Sequence, residues 1–162
     1  MSSDPIALAR ENWEGAGWSD AAPGMVAVTS VMRAQQIFQA RVDEVLRPFE
    51  LTFARYELLM LLHFSSHGSM PLKKASERLQ VHPTSITNAV DRLEAADLVS
   101  RSPHPTDGRA TLIALTDAGR RTALKATESL NAEVFGRPGL PQRRLATLVS
   151  VLEDLRRAAG DF

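Results

Sequence analysis

The feature that most constrains this chain is a change of hydrophobic period at Leu98. Before that residue, apolar side chains recur at three-and-four spacing, which gathers them on one side of an α-helix. Beyond it, Leu98 to Ser102 and Thr111 to Thr116 are short runs rich in β-branched or apolar residues. They flank His-Pro-Thr-Asp-Gly-Arg-Ala, whose Pro and Gly mark a loop. The helical period then resumes, so a helical chain interrupted by one two-stranded ribbon is expected.

The helices can be placed from their apolar faces. From Met25 to Phe49, Val28, Val31, Met32, Phe38, Val42, Val45 and Leu46 share a stripe, and Pro48 ends it because proline has no N–H to donate. Thr52 is the expected cap of the next helix, where Tyr56 to Phe64 is apolar on nearly every side and so central to packing. Ser65 to Met70 reads as a loop. Pro71 to Gln80 reads as a short helix with Leu72, Ala75 and Leu79 inward, followed by a tight break and a helix opening at Pro83. In that second helix Ile86, Ala89, Val90 and Leu93 share a face. Thr84, Asn88 and Asp91 point the opposite way, with Thr87 and Arg92 at the borders.

After the ribbon, Thr116 caps a helix with Asp117 in its first turn that runs to about Phe135. Gly136 to Gly139 breaks it. A last helix from Pro141 carries Leu145, Leu148, Val149, Leu152 and Leu155 on one stripe. The expected fold is therefore mainly α: a winged helix-turn-helix with long N- and C-terminal helices and a two-stranded β wing. Residues 1–24 form an N-terminal arm, 50–116 the reading head, and 25–49 with 117–162 the dimerisation helices, all in one compact unit.

Composition removes several classes of function. The 162 residues contain no cysteine, which excludes disulfides, thiolate metal sites and a cysteine nucleophile. His63 and His67 stand four apart, but no Asp or Glu lies between Glu57 and Glu77, and no metal or cofactor is expected. Ser65, Ser66 and His67 have no nucleophile elbow or phosphate loop around them, so no catalytic residues and no enzyme are expected. No apolar run approaches the roughly 20 residues of a membrane span, and the N-terminus has no secretory pattern, so the expected location is the cytoplasm. Lys plus Arg and Asp plus Glu both number 19. Residues 1–24 carry a net charge of −3, from four acids against Arg10, which leaves a mildly basic remainder.

The outward residues of the second helix suit the major groove of double-stranded DNA. Asn88 can form two hydrogen bonds to adenine, and Thr84, Ser85 and Thr87 offer hydroxyls, two of them with methyls. Lys73, Lys74, His82, Arg92 and His104 are expected nearer the sugar-phosphate chains. Arg109 at the wing tip suits the minor groove, with Asp107 placed to hold its guanidinium. The apolar stripes left over outside the head need a partner surface, which a homodimer supplies. Two recognition helices then meet major grooves about 34 Å apart.

The block Ala75 to Arg101, with Asp107-Gly-Arg-Ala-Thr and Leu115-Thr-Asp-Ala-Gly119, resembles the MarR family of transcriptional regulators in order and spacing. The similarity extends from Met25 to about Arg157. It implies a homodimer that binds an inverted-repeat operator as a repressor and is released by a small aromatic, phenolic or carboxylic effector. A constitutive or architectural DNA-binding protein without an effector is the alternative. Gly108 stands where many members carry a further Arg, and Asn88 where Arg is frequent, which implies weaker wing contact and a preference shifted toward adenine. Asp4-Pro-Ile and Ala9 to Trp18 resemble an N-terminal extension seen in a subset of the family. Arg33, Arg41 and His63, on helices that flank the family's cleft, are expected effector candidates by their cationic or imidazole side chains, and Trp13 and Trp18 are expected either to line that cleft or to pack the arm across the dimer partner.

Overall fold

The structure, a computed structural model, describes residues 4–104 and 110–162. Asp107 and Arg109 lie outside the described residues. Helix α1 (Pro5–Gly15) shows that the acidic arm is itself helical, with Pro5 in the first turn and the Asp4 carboxylate accepting the Ile6 N–H at 3.0 Å. The chain turns at Trp18 into the long helix α2 (Ala22–Leu46), which begins at Ala22 rather than Met25. Pro48 ends it as expected, in a 3-10 turn over Arg47–Phe49. Thr52 then caps α3 (Phe53–His63), its hydroxyl accepting the Arg55 N–H at 3.4 Å.

Helix α3 is the centre of the molecule. Leu58, Leu59 and Leu62 are fully buried, and each such side chain contributes about 1.5–3 kcal/mol on leaving water. Around them pack Val42 and Leu46 of α2, Ala75, Ile86, Val90 and Leu93 of the next two helices, Val99 and Ile113 of the sheet, and Ala123, Ala126 and Leu130 further on.

Those next helices are α4 (Leu72–Leu79) and α5 (Pro83–Ala95). The turn between them is tied at both ends: the Val81 N–H donates to the Ser76 carbonyl at 3.2 Å, and the Ser76 hydroxyl donates to the Val81 carbonyl at 2.7 Å. Gln80 takes a left-handed conformation, φ 53°, to allow this.

The sheet has three strands where two were expected. Strands β2 (Val99–Pro103) and β3 (Thr111–Leu115) form the ribbon, and β1 (Ser69–Pro71) adds to the other edge of β3, giving the antiparallel order β1-β3-β2. Met70 pairs with Ile113, and both are buried. A three-residue strand carries no readable alternation, and the Ser and Gly before it signal a loop. Pro71 costs no ladder bond because it sits at an edge.

Helix α6 (Asp117–Leu130) starts hard against this sheet. Thr116 caps it, accepting the Gly119 N–H at 2.9 Å. A Cβ on Gly119 would lie 2.0 Å from the Leu98 carbonyl oxygen, so the Leu-Thr-Asp-Ala-Gly sequence needs glycine at its end. The helix continues as a π-helical turn over Asn131–Phe135, and α7 (Gln142–Ala158) follows. Neither α1 nor α7 contains a buried residue.

Candidate nucleic-acid interface

Helix α5 is docked by one face and open on the other. Ile86, Val90 and Leu93 are buried, while Thr84, Ser85, Thr87, Asn88 and Asp91 are exposed. The side chains of Thr84, Ser85 and Asn88 make no hydrogen bond among the described residues, so their donors and acceptors face solvent unspent. Thr87 differs: its hydroxyl donates to the Pro83 carbonyl at 2.9 Å, which leaves its methyl and an acceptor lone pair available.

His82 stands just before α5 and turns back onto it. Its Nδ1 accepts the Thr84 N–H at 3.2 Å, so the imidazole caps the helix and satisfies a main-chain donor that would otherwise lack a partner. The sequence reading considered His82 only for backbone contact. Lys73 and Lys74 are exposed on α4, with Lys73 at 4.0 Å from Glu77. Arg92 lies apart from the outward row, in a cleft with Phe49, Glu50 and Arg55. His104 follows β2, and its N–H donates to the Ala110 carbonyl at 3.0 Å, which extends the ribbon ladder past Pro103.

Sequence reasoning missed Arg101. This strand residue, its side chain 24% exposed, reaches back to α5. Its guanidinium donates to Asp91 at 2.5 Å and to Glu94 at 2.6 Å, and its N–H donates to the other Glu94 oxygen at 3.1 Å. Burial works against the charge, but the hydrogen bonds and Coulomb attraction of the two carboxylates outweigh it and raise the Arg101 pKa above the ordinary guanidinium value. Two acids three residues apart on a helix facing away from the core were the available signal, since such a pair needs a counter-charge from outside the helix.

The five effector candidates are not brought together. Trp13 and Trp18 pack on each other edge to face, centroids 5.3 Å apart, at the α1–α2 corner. Arg33 donates to Gln36, and His63 Nδ1 lies 2.9 Å from the Arg120 guanidinium at the far end of α3. Arg41 donates to the main-chain carbonyls of Glu133 and Arg137, at 2.7 and 2.6 Å, and so ties down the π-helical turn. A separate apolar groove of about 640 Å³ runs between α2 and α7. It is lined by Val31, Phe38, Val42, Phe53, Val134, Phe135, Leu145, Leu148 and Leu152, with Gln35 and Gln39 as its polar side chains. None of the five lines it.

Two helices joined by a tight turn, the second docked against a β ribbon and open on its outer face, define a winged helix-turn-helix protein. The MarR family profile matches residues 51–111. The uncharacterised HTH-type transcriptional regulator YhbI of Bacillus subtilis is 38% identical over 121 residues, 75% of this chain and 73% of the relative. Among solved structures, Sco5413, a MarR family transcriptional regulator from Streptomyces coelicolor, superposes with a TM-score of 0.79 at 49% identity, covering 86% of this chain and 97% of the other. CouR from Rhodococcus jostii RHA1, bound to p-coumaroyl-CoA, gives 0.65 at 25% identity over 77% of this chain and 87% of its own. The chain belongs to the MarR family of transcriptional regulators. The relatives named above are transcriptional regulators.

Proposed function

We propose that this regulator binds an inverted-repeat operator as a homodimer, with α5 of each copy in a major groove, and that a small aromatic ligand releases it. The observation that carries the proposal is the row Thr84, Ser85 and Asn88. These side chains are exposed and unspent in hydrogen bonding on a helix otherwise fixed by its core face, the ribbon and its own cap. Asn88 then reads adenine, while Thr84, Ser85 and the Thr87 methyl complete the base contacts. Lys73 and Lys74 on α4, together with His82, Arg92 and His104, supply backbone contacts, and Asp107 with Arg109 forms the minor-groove tip.

In this division residues 50–116 read DNA, and 25–49 with 117–162 hold the dimer. Val28, Met32 and Ile37 of α2 and Val149, Val151 and Leu155 of α7 are large apolar side chains left in water, which supports burial against a second copy. The effector is assigned to the α2–α7 groove, where Phe38, Phe53 and Phe135 offer aromatic walls and no cation is present. The neutral walls favour an aromatic ring over a carboxylate as the buried part. CouR, a repressor that has been crystallised on a 23-mer duplex and with p-coumaroyl-CoA, supports coupling of the two kinds of site.

The test is selection of bound sites from random DNA, followed by competition with phenolic and carboxylic compounds. An inverted repeat is expected, released by an aromatic compound. Binding that no compound disturbs favours the constitutive alternative. Asn88→Ala is expected to cost about 1–3 kcal/mol at one base pair and to relax preference there. Equal losses on operator and random duplexes would remove Asn88 from base reading.

A further inference from the structure

By its own charges α5 is a poor match for a polyanion. Asp91 is one turn beyond Asn88 on the outward face, its side chain 54% exposed, and Glu94 follows at 41%. The cation on the same helix, Arg92, is exposed at the border of that face, beside the cleft with Phe49 and Arg55, and pairs with neither acid. Compensation comes instead from the sheet, where a single guanidinium on β2 engages both carboxylates and lies 3.4 Å from the Thr87 carbonyl. Arg101 is itself fixed, because its strand position is paired with Ile113 of β3. Two carboxylates left bare at a phosphate-lined groove would each repel it across a partly dehydrated interface, where charge interactions are strengthened.

We propose that Arg101 serves DNA recognition as a charge-masking residue: it draws the Asp91 and Glu94 carboxylates onto itself and away from the phosphates, which lets α5 approach the duplex. This rests on the DNA-binding reading above. Arg101 acts through the two acids and touches no phosphate or base. The forked guanidinium suits the task, since its nitrogens reach two carboxylates at once, which a single ammonium on a lysine does less well.

The experiment compares wild type, R101Q, D91N/E94Q and the triple variant D91N/E94Q/R101Q. Each is titrated onto a duplex that wild type has selected from random DNA, with melting temperatures recorded alongside. R101Q is expected to weaken binding by about tenfold or more, since two carboxylates are then left bare toward the phosphates. The triple variant lacks the same guanidinium but also the acids, and it is expected to return to within about threefold of wild type. A triple variant as weak as R101Q overturns the proposal, because Arg101 would then touch DNA itself or serve only the fold. R101Q that binds like wild type also overturns it. Should R101Q not fold, D91N/E94Q decides: equal or tighter binding than wild type supports masking, and weaker binding overturns it. Wild type that selects no duplex overturns the DNA-binding reading itself, whereas a selected duplex with failed rescue overturns the mask alone.

Discussion

The reading head and the outer helices are built to different standards of completeness. In the head, α3 buries Tyr56, Leu58, Leu59 and Leu62, the α4–α5 turn is tied by Ser76, and α3 and α5 each begin on a side-chain cap. In the outer region, α1 and α7 bury no residue, and α7 leaves Val149, Val151 and Leu155 more than half exposed. A domain that satisfies its core within one chain holds fixed geometry at its surface, whereas helices with unburied stripes depend on another surface for their stability. The difference separates two kinds of mutation: one kind should unfold the head, the other should change assembly.

The largest expected effect tests the second kind. Val149→Asp with Leu155→Asp places charge on the open α7 stripe and should halve the particle mass in light scattering at micromolar concentration, while the helical signal of the head persists. A doubled mass that survives both aspartates would move the dimer contact away from α7. Leu59→Ala tests the first kind. At a fully buried position it should cost about 2–5 kcal/mol, read by denaturant unfolding. A loss under 1 kcal/mol would mean that the α3 surroundings collapse onto the gap.

Gly119→Ala should cost about 1–3 kcal/mol, because the new methyl meets a main-chain oxygen that cannot rotate away. Its melting curve should shift without any change in mass. Smallest is Glu50→Gly. Glu50 sits at φ 55°, where a Cβ is unwelcome, and glycine should stabilise by up to about 1 kcal/mol. Unchanged or lower stability would show that chain entropy outweighs the relieved strain.

The same contrast explains how much could be read without coordinates. Apolar periodicity located α2 to α7 and the ribbon because each of those elements is long enough to repeat its pattern. Strand β1 escaped because three residues repeat nothing. Thr52 and Thr116 are legible as caps by residue type and position, whereas His82, an uncommon cap, suggests by its place only a contact to the DNA backbone. Among the site residues, Thr84, Asn88 and Asp91 were placed outward correctly, since one helical face follows from the other. Arg101 could not be placed, because its bonds to Asp91 and Glu94 depend on how a strand returns beneath a helix. Arg41 was in the same position: its two carbonyl acceptors are more than 90 residues away in the chain.

Helix α6 and its π-helical turn join the two regions mechanically. One end is seated at Gly119 against the Leu98 carbonyl, and the other presents Val134 and Phe135 to the α2–α7 groove. Together they make a lever of roughly 28 Å at 1.5 Å per residue. The close approach at the glycine and the groove-lining side chains thus sit at opposite ends of one continuous helical rod.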